Sequence, residues 1–189
     1  FMINFKANYI NSSNILKRNI NNKFEEKKAS FVILDPLNET DLNVLKELSE
    51  EWEDGFDYFT KDIYNNAKEE YLKNDGFKKL ETQFYALTTQ KNNFESLKPW
   101  QILGLMQIYK FKDRPSFQID YLQTKPDSCM FDQNRLYKKV GTAMLNSIKK
   151  HIPNKDIILK ALDSAIEFYK TNGFEKFDSV NKYIYRIKK

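Results

Sequence analysis

The sequence predicts an α/β (α+β) domain with a central mixed, largely antiparallel twisted sheet flanked by helices. An N-terminal strand or hairpin extension precedes it. Three observations lead there. Strand-like and helix-like periods alternate along the chain. Three strand-like runs, 82–89, 102–111 and 116–123, follow one another across turn-bearing segments, a succession that antiparallel neighbours allow and parallel ones do not. And 189 residues, 41% hydrophobic and 15% aromatic, suffice for one real core without dividing into several domains.

The elements are expected in this order. Ile3, Phe5, Ala7 and Tyr9 alternate with Asn4, Lys6 and Asn8, the period of a half-buried strand. Asn11-Ser12-Ser13-Asn14 reads as a turn and Ile15 onward as a returning strand, so residues 3–20 are expected as a small hairpin. Residues 28–34 form a strand that stops at Asp35-Pro36. Thr40 is the expected N-cap of a helix carrying Leu42, Leu45, Leu48 and Trp52 on one face. Gly55 interrupts it, residues 57–73 resume the helical period, and Asn74-Asp75-Gly76 ends it. After the three successive strands, Asp132 to Lys150 is the longest helical pattern, with Leu136, Val140, Met144 and Ile148 at i, i+4 spacing. Pro153-Asn154 stops it. A strand over 156–161, a helix over 163–172 ending at Gly173 and a strand over 182–188 complete the chain.

Composition excludes several classes of function. Mean hydropathy is −0.69 and no long uncharged apolar run occurs, so no membrane-spanning helix is expected; no signal-peptide pattern opens the sequence. The single cysteine, Cys129, excludes an internal disulfide framework and fits a reducing cytoplasm. The single histidine, His151, excludes a multi-histidine metal site. The net charge is +5, and residues 1–30 hold four of these charges: six Lys and Arg stand there against Glu25 and Glu26. The body is therefore balanced, which argues against a nucleic-acid face across the domain. The basic residues are nearly all Lys and Asn is abundant, a bias of AT-rich genomes that carries no chemistry.

Residues 165–174 read Ala-Ile-Glu-Phe-Tyr-Lys-Thr-Asn-Gly-Phe. Ala165 and Phe168 would pack a short helix on the sheet, Gly173 would supply the positive φ past its end, and Phe174 would re-enter the core. Upstream stand Leu122-Gln123-Thr124-Lys125-Pro126 and Val140-Gly141-Thr142-Ala143-Met144-Leu145. Together these resemble three motifs of the GNAT N-acetyltransferase superfamily: A-x-x-F-Y-x-x-x-G-F near its end, L-x-V-x-P on its fourth strand, and the I-G-x-A-L-L that closes its pyrophosphate loop. They occur in the family's order, and the resemblance covers residues 28–189. It implies a GNAT-like acyltransferase domain over 27–189, with 1–26 as a basic extension whose removal would leave a folded domain.

The resemblance implies acetyl-CoA as acyl donor, cradled by backbone N–H groups at a helix start. Its contacts would come from Leu122, Gln123, Thr124, Arg135, Lys138, Lys139, Val140, Gly141, Thr142 and Ala143. The loop is glycine-poor. With Gly141 as the family's last glycine, Lys139 replaces the first; a register shifted by two instead aligns Lys138, Gly141 and Ala143. The first register keeps Val140, Met144 and Leu145 on one apolar face and is preferred. The Asn that often precedes the last family helix is Leu162 here. Tyr169 matches the family tyrosine that protonates the departing thiolate, and Asp120, the one acidic residue of the 116–123 strand, is the candidate base.

The segment 50–59, Glu-Glu-Trp-Glu-Asp-Gly-Phe-Asp-Tyr-Phe, interleaves carboxylates with aromatic rings. The resemblance sets it beside the acceptor, where Glu51, Trp52, Glu53 and Asp54 would suit a small-molecule or peptidyl cationic amine. The alternative reading is an acidic helix end with its aromatics turned inward. Two rivals to the enzyme stand beside it: a catalytically weak module that binds acyl-CoA or a partner, and a toxin-like acetyltransferase of charged tRNA. A homodimer is left open.

Overall fold

The computed structural model describes residues 8–52, 59–73, 81–128, 134–178 and 182–186. Their strands are β1 (Asn8–Arg18), β2 (Phe24–Leu34), β3 (Thr82–Thr88), β4 (Ile102–Lys110), β5 (Ser116–Thr124), β6 (Tyr137–Lys138), β7 (Asp156–Lys160), β8 (Glu175–Lys176) and β9 (Lys182–Tyr185). The helices are α1 (Glu39–Glu51), α2 (Thr60–Lys73), α3 (Val140–His151) and α4 (Ile166–Thr171). The strands form one sheet in the order β6-β1-β2-β3-β4-β5-β7-β9-β8. Every pairing is antiparallel except β5 with β7. The mixed, largely antiparallel sheet flanked by helices is the expected fold class.

The central strands read as nearly continuous apolar runs because both faces are covered. Phe84, Ala86, Ile102 and Leu105 pack with Leu45, Leu48 and Trp52 of the α1 segment and Ile63 of α2. Tyr85, Leu87, Leu103, Met106 and Ile108 pack with Met144, Leu145 and Ile148 of α3 and Tyr169 of α4. Alternation along each strand thus feeds two cores instead of one core and solvent.

Four expectations are corrected. Asn11–Asn14 is no turn: β1 runs straight through it and pairs with β2 from Asn8↔Ile33 to Arg18↔Phe24, with a bulge between Tyr9 and Asn11. The turn lies beyond Arg18, where Asn19 accepts from the backbone N–H groups of Asn21 and Lys23. A boundary between residues 26 and 27 therefore falls inside β2. Ile15 is fully buried in the α3-side core, and Ser13 Oγ lies 2.7 Å from Ser147 Oγ of α3. The described part of the extension belongs to the domain's own sheet.

The N-cap of α1 is Asn38, not Thr40; its side chain accepts from the N–H groups of Thr40 and Asp41. The helix expected from Asp132 begins only at Val140, because Tyr137 and Lys138 pair as β6 with Lys17 and Leu16 of β1. Leu136 consequently lies outside the helical stripe and is exposed. The last helix is shorter than 163–172, a 3-10 turn over Asp163–Ala165 leading into α4.

Candidate functional site

β5 is the strand on which the site is built. On one side it pairs with β4 along its whole length, to Gly104↔Thr124. On the other side its ladder with β7 runs only from Ser116↔Asp156 to Ile119↔Leu159. Beyond Ile119 the β7-facing edge of residues 120–124 has no strand partner among the described residues. A strand edge inside a sheet, bordered by covered core on both faces, is a slot for an extended ligand that brings its own amides.

The β4 ladder is irregular at the same point. Gln107 pairs with Tyr121 and Ile108 with Ile119, so Asp120 is the extra residue of a β-bulge. The bulge resets the alternation. Phe117, Ile119 and Leu122 belong to the α3 side, whereas Tyr121 packs on the α1/α2 side. Asp120 joins it there: Gln107 Nε2 donates to Oδ2 at 3.4 Å, and Gln118 Nε2 donates to Oδ1 at 2.8 Å. Burial raises the Asp120 carboxyl above its ordinary value, and the two amide donors oppose that rise. Its neighbour Tyr121 is also raised, first by burial and then by the carboxylates of Asp62 and Asp120.

The α1/α2 side closes on the same end of β5. Phe59 donates its backbone N–H to Gln123 Oε1 at 3.5 Å, and its ring lies 5.2 Å from that of Tyr121. Glu51 reaches Lys125, just past β5, at 3.8 Å. Trp52 is buried in the core beneath, which removes its ring from any acceptor wall and corrects that expectation: the aromatic turned inward. Glu53 and Asp54, like Cys129, lie outside the described residues.

On the opposite side, α3 and α4 converge on Leu122. Gly141 has no room for a side chain: a Cβ there would stand 2.9 Å from Phe168 Cζ and 3.8 Å from Leu122 Cδ2. Glycine thus lets the start of α3, the ring of α4 and the open stretch of β5 meet. Tyr169 follows Phe168 and is buried, its ring against those of Phe168 and Phe174. Burial pushes its hydroxyl up to about 12. Gly173 adopts φ +82° past the helix end, as expected, and Lys149 of α3 ties that end down by donating to Asn172 O. Flanked by the Tyr185 and Phe174 rings, the Lys149 ammonium is brought down to about 8 by burial.

The expected anion cradle falls at the start of α3. α3 starts without a side-chain cap; Lys139, in the position of the missing glycine, holds the left-handed conformation at φ 65° that glycine favours. Its first helical bond is Ala143 N–H to Lys139 O, leaving the N–H groups of Val140, Gly141 and Thr142 at the helix start. No acidic residue stands in the first turn. Val140, Gly141 and Ala143 are buried, Thr142, Leu122, Gln123, Thr124 and Arg135 half-buried, and Lys139 exposed. Lys138 turns the other way, its ammonium 3.8 Å from the centre of the Phe24 ring of β2.

Sequence reasoning missed Gln107, Asn66 and Tyr121. The bulge sets Tyr121 on the same side of the sheet as Asp120 and Gln107, and Asn66 reaches Asp120 only through Gln107; one unaligned sequence carries no sign of a bulge. Among the described residues there is no group of three or more His, Cys, Asp and Glu that could hold a metal ion, and no helix is long and apolar enough to cross a membrane.

No family model matches the chain, and no curated protein matches it in sequence. Solved structures do. The chain is similar to the PaiA N-acetyltransferase of Thermoplasma acidophilum in complex with coenzyme A, at 17% identity and TM-score 0.47 over 82% of this chain and 96% of that one. It is similar to a tandem GNAT protein from the clavulanic acid biosynthesis pathway, at 12% identity and TM-score 0.49 over 79% of this chain and 45% of that one. AtaTR bound with AcCoA aligns at 16% identity and TM-score 0.46, over 82% and 91%.

Proposed function

We propose that the chain is an acyl-CoA-dependent N-acyltransferase that uses acetyl-CoA, and that its site is the open end of β5 between α3, α4 and the α1–α2 junction. The observation that carries this reading is the parting of β5 from β7 after Ile119, directly beside the uncapped start of α3. An acyl-CoA has two features that match the pair: amides in an extended arm, for the unpaired strand edge, and a pyrophosphate, for orphan N–H groups at a helix start. Lys139, Arg135 and the backbone N–H groups of Val140, Gly141 and Thr142 would hold the pyrophosphate, packed on Ala143, and Leu122, Gln123 and Thr124 the arm.

In this reading the acceptor amine attacks the thioester carbonyl from the α1/α2 side. The C–N bond forms, the amine proton goes to Asp120, and a β5 backbone N–H near 122–124 receives the carbonyl oxygen's charge. The C–S bond then breaks. A phenol at about 12 is a weak acid toward a thiolate whose thiol titrates near ~8.5, so full transfer is uphill by about 5 kcal/mol. Tyr169 therefore acts as a hydrogen-bond donor to the sulfur as its charge develops. Tyr121 with Asp62 and Asp120, and Glu51 beyond them, support a cationic amine as acceptor.

The binding-module rival draws on the glycine-poor loop and on Lys138, which is engaged with Phe24. The two readings separate simply. Acetyl-CoA should raise the melting temperature where free acetate does not, and thiol release over a panel of polyamine, aminoglycoside-like and lysyl acceptors should identify a substrate. Stabilisation without thiol release from any cationic amine would favour an acyl-CoA-binding module; no stabilisation by acetyl-CoA or CoA would remove the enzyme and favour a partner-binding module.

A further inference from the structure

Asp120 is the end of a line of side-chain amides that starts on α2. Asn66 donates through Nδ2 to Gln107 Oε1 at 3.0 Å, and Gln107 in turn donates to Asp120. Gln107 is 5% exposed and belongs to β4, away from the open edge of β5. A primary amide offers one acceptor atom and one donor atom. With Asn66 occupying the acceptor, Gln107 has only N–H groups left for Asp120. Turned round alone it would set two donors against each other at Asn66 and two acceptors at Asp120; Asn66 can turn with it, so the clash that fixes the orientation is the one at the carboxylate. Gln118 meets the other carboxylate oxygen, so both oxygens are located, and no Lys or Arg pairs with the carboxylate among the described residues.

We propose that Gln107 is a positioning residue for this reaction: bridging Asn66 and Asp120 with its N–H toward the carboxylate, it aims the Asp120 carboxylate and keeps it ready to accept the acceptor's proton. The role rests on the acyltransferase reading, but the orientation does not, and the two can be tested apart. The titratable group coupled to Asp120 is Tyr121, which also senses Asp62 at the start of α2. An N–H presented to the carboxylate favours its ionised form against the effect of burial. An oxygen presented there would do the reverse.

The decisive variant is Asn66→Asp. Its carboxylate can only accept, so it calls Gln107 Nε2 toward itself and turns Oε1 onto Asp120. Titration of the Asp120 carboxyl carbon by NMR in the full chain should then show proton affinity raised about tenfold or more, with a smaller rise in Gln107→Leu. The new charge at position 66 also acts through space, so the same substitution is made in the Gln107→Leu background, where only charge remains. The difference between the two backgrounds measures the reorientation. Equal shifts in both backgrounds, or an Asp120 titration unmoved by Gln107→Leu in a protein that melts as the parent does, would overturn the proposal. In turnover, Gln107→Leu should move the acid limb of kcat/KM upward and lower kcat about tenfold at pH 7, leaving the acetyl-CoA KM in place. An acid limb that stays put while Asp120→Asn abolishes turnover would overturn the role of Gln107 in catalysis. Predicted NMR shifts in a protein that neither binds acetyl-CoA nor turns over would support the orientation and sink the acyltransferase reading instead.

Discussion

Among the described residues, a stretch of β1 at the outer edge of the sheet and a stretch of β5 beyond Ile119 each lack a strand partner on one side, and they differ in almost every respect. At the outer edge, β1 is covered by β6 only at Leu16 and Lys17, and the bare stretch before them is written in Asn and Ser. A polar, bulged edge is how a sheet avoids pairing with other chains. Between β5 and β7 the gap lies inside the sheet, its residues half-buried between two cores. The first gap is built to stay empty; the second is the one the proposed function fills with a ligand.

The largest effect should come from breaking the first region. Deleting residues 1–26 removes β1 and the start of β2, uncovering Ala29, Phe31 and the α3 face where Ile15 sits. We expect no cooperative melting transition and loss of the far-UV signature of the fold. A truncated protein that melts as one unit would return the segment to an appendage.

At the inner gap, Tyr169→Phe should lower kcat by about 10²-fold or more while acetyl-CoA affinity holds, because only a hydrogen bond to the leaving sulfur is lost. Since burial holds the hydroxyl near 12, Tyr169 should add no alkaline limb to the rate below that range. Unchanged turnover would make it a packing residue. Filling the gap with its ligand should stabilise the protein, by about 2.7 kcal/mol at 100 times the dissociation constant, seen as a rise in Tm. Gly141→Val should cost about 1–3 kcal/mol through overpacking on Phe168 and weaken acetyl-CoA binding with it. A fully stable variant that still binds would mean that α4 can move aside at no cost.

A control lies away from both gaps. Asp41, at the start of α1, is buried beside Asp35, accepts from the Asp35 N–H, and burial raises it to about 7 from 3.8. Its folded form therefore holds a proton that the unfolded chain has released. The stability this contributes is full below pH 3.8 and lost as pH rises through about 7. Asp41→Asn should flatten that part of the stability–pH profile without touching acetyl-CoA affinity. Burial perturbs Asp41 more than Asp120, yet only Asp120 stands at an unpaired strand edge; position, not titration, marks the site.

The same contrast explains what could be read in the sequence. The inner strands were legible because Val, Ile, Leu and Phe report burial directly. β1 was not: an edge strand carries Asn and Ser for a reason unrelated to turning, and local propensity cannot tell the two uses apart. The helix expected from Asp132 failed likewise, since Leu136 keeps the right spacing for α3 while the backbone pairs with β1. At the site, Gly141 and Tyr169 were marked by the resemblance to family motifs, and Gly173 also by its place past a helix end. The approach of Gln107 and Asn66 to Asp120 was not, because it depends on a shift of register between two strands. Trp52 was misassigned since an aromatic residue beside carboxylates looks the same whether it faces a ligand or a core.

The left-handed backbone of Lys139 has an evolutionary consequence. Any side chain other than Gly, Asn or Asp in that conformation costs about 1 kcal/mol, so a single codon change to glycine offers this chain a more stable fold. Lys139→Gly would also erase a positive charge from the start of α3. If the start of α3 binds an anion as proposed, the charge of Lys139 is what offsets that cost. The residue is thus a gauge of whether the anion site remains under selection, readable by comparing the variant's gain in Tm with its loss of coenzyme A affinity.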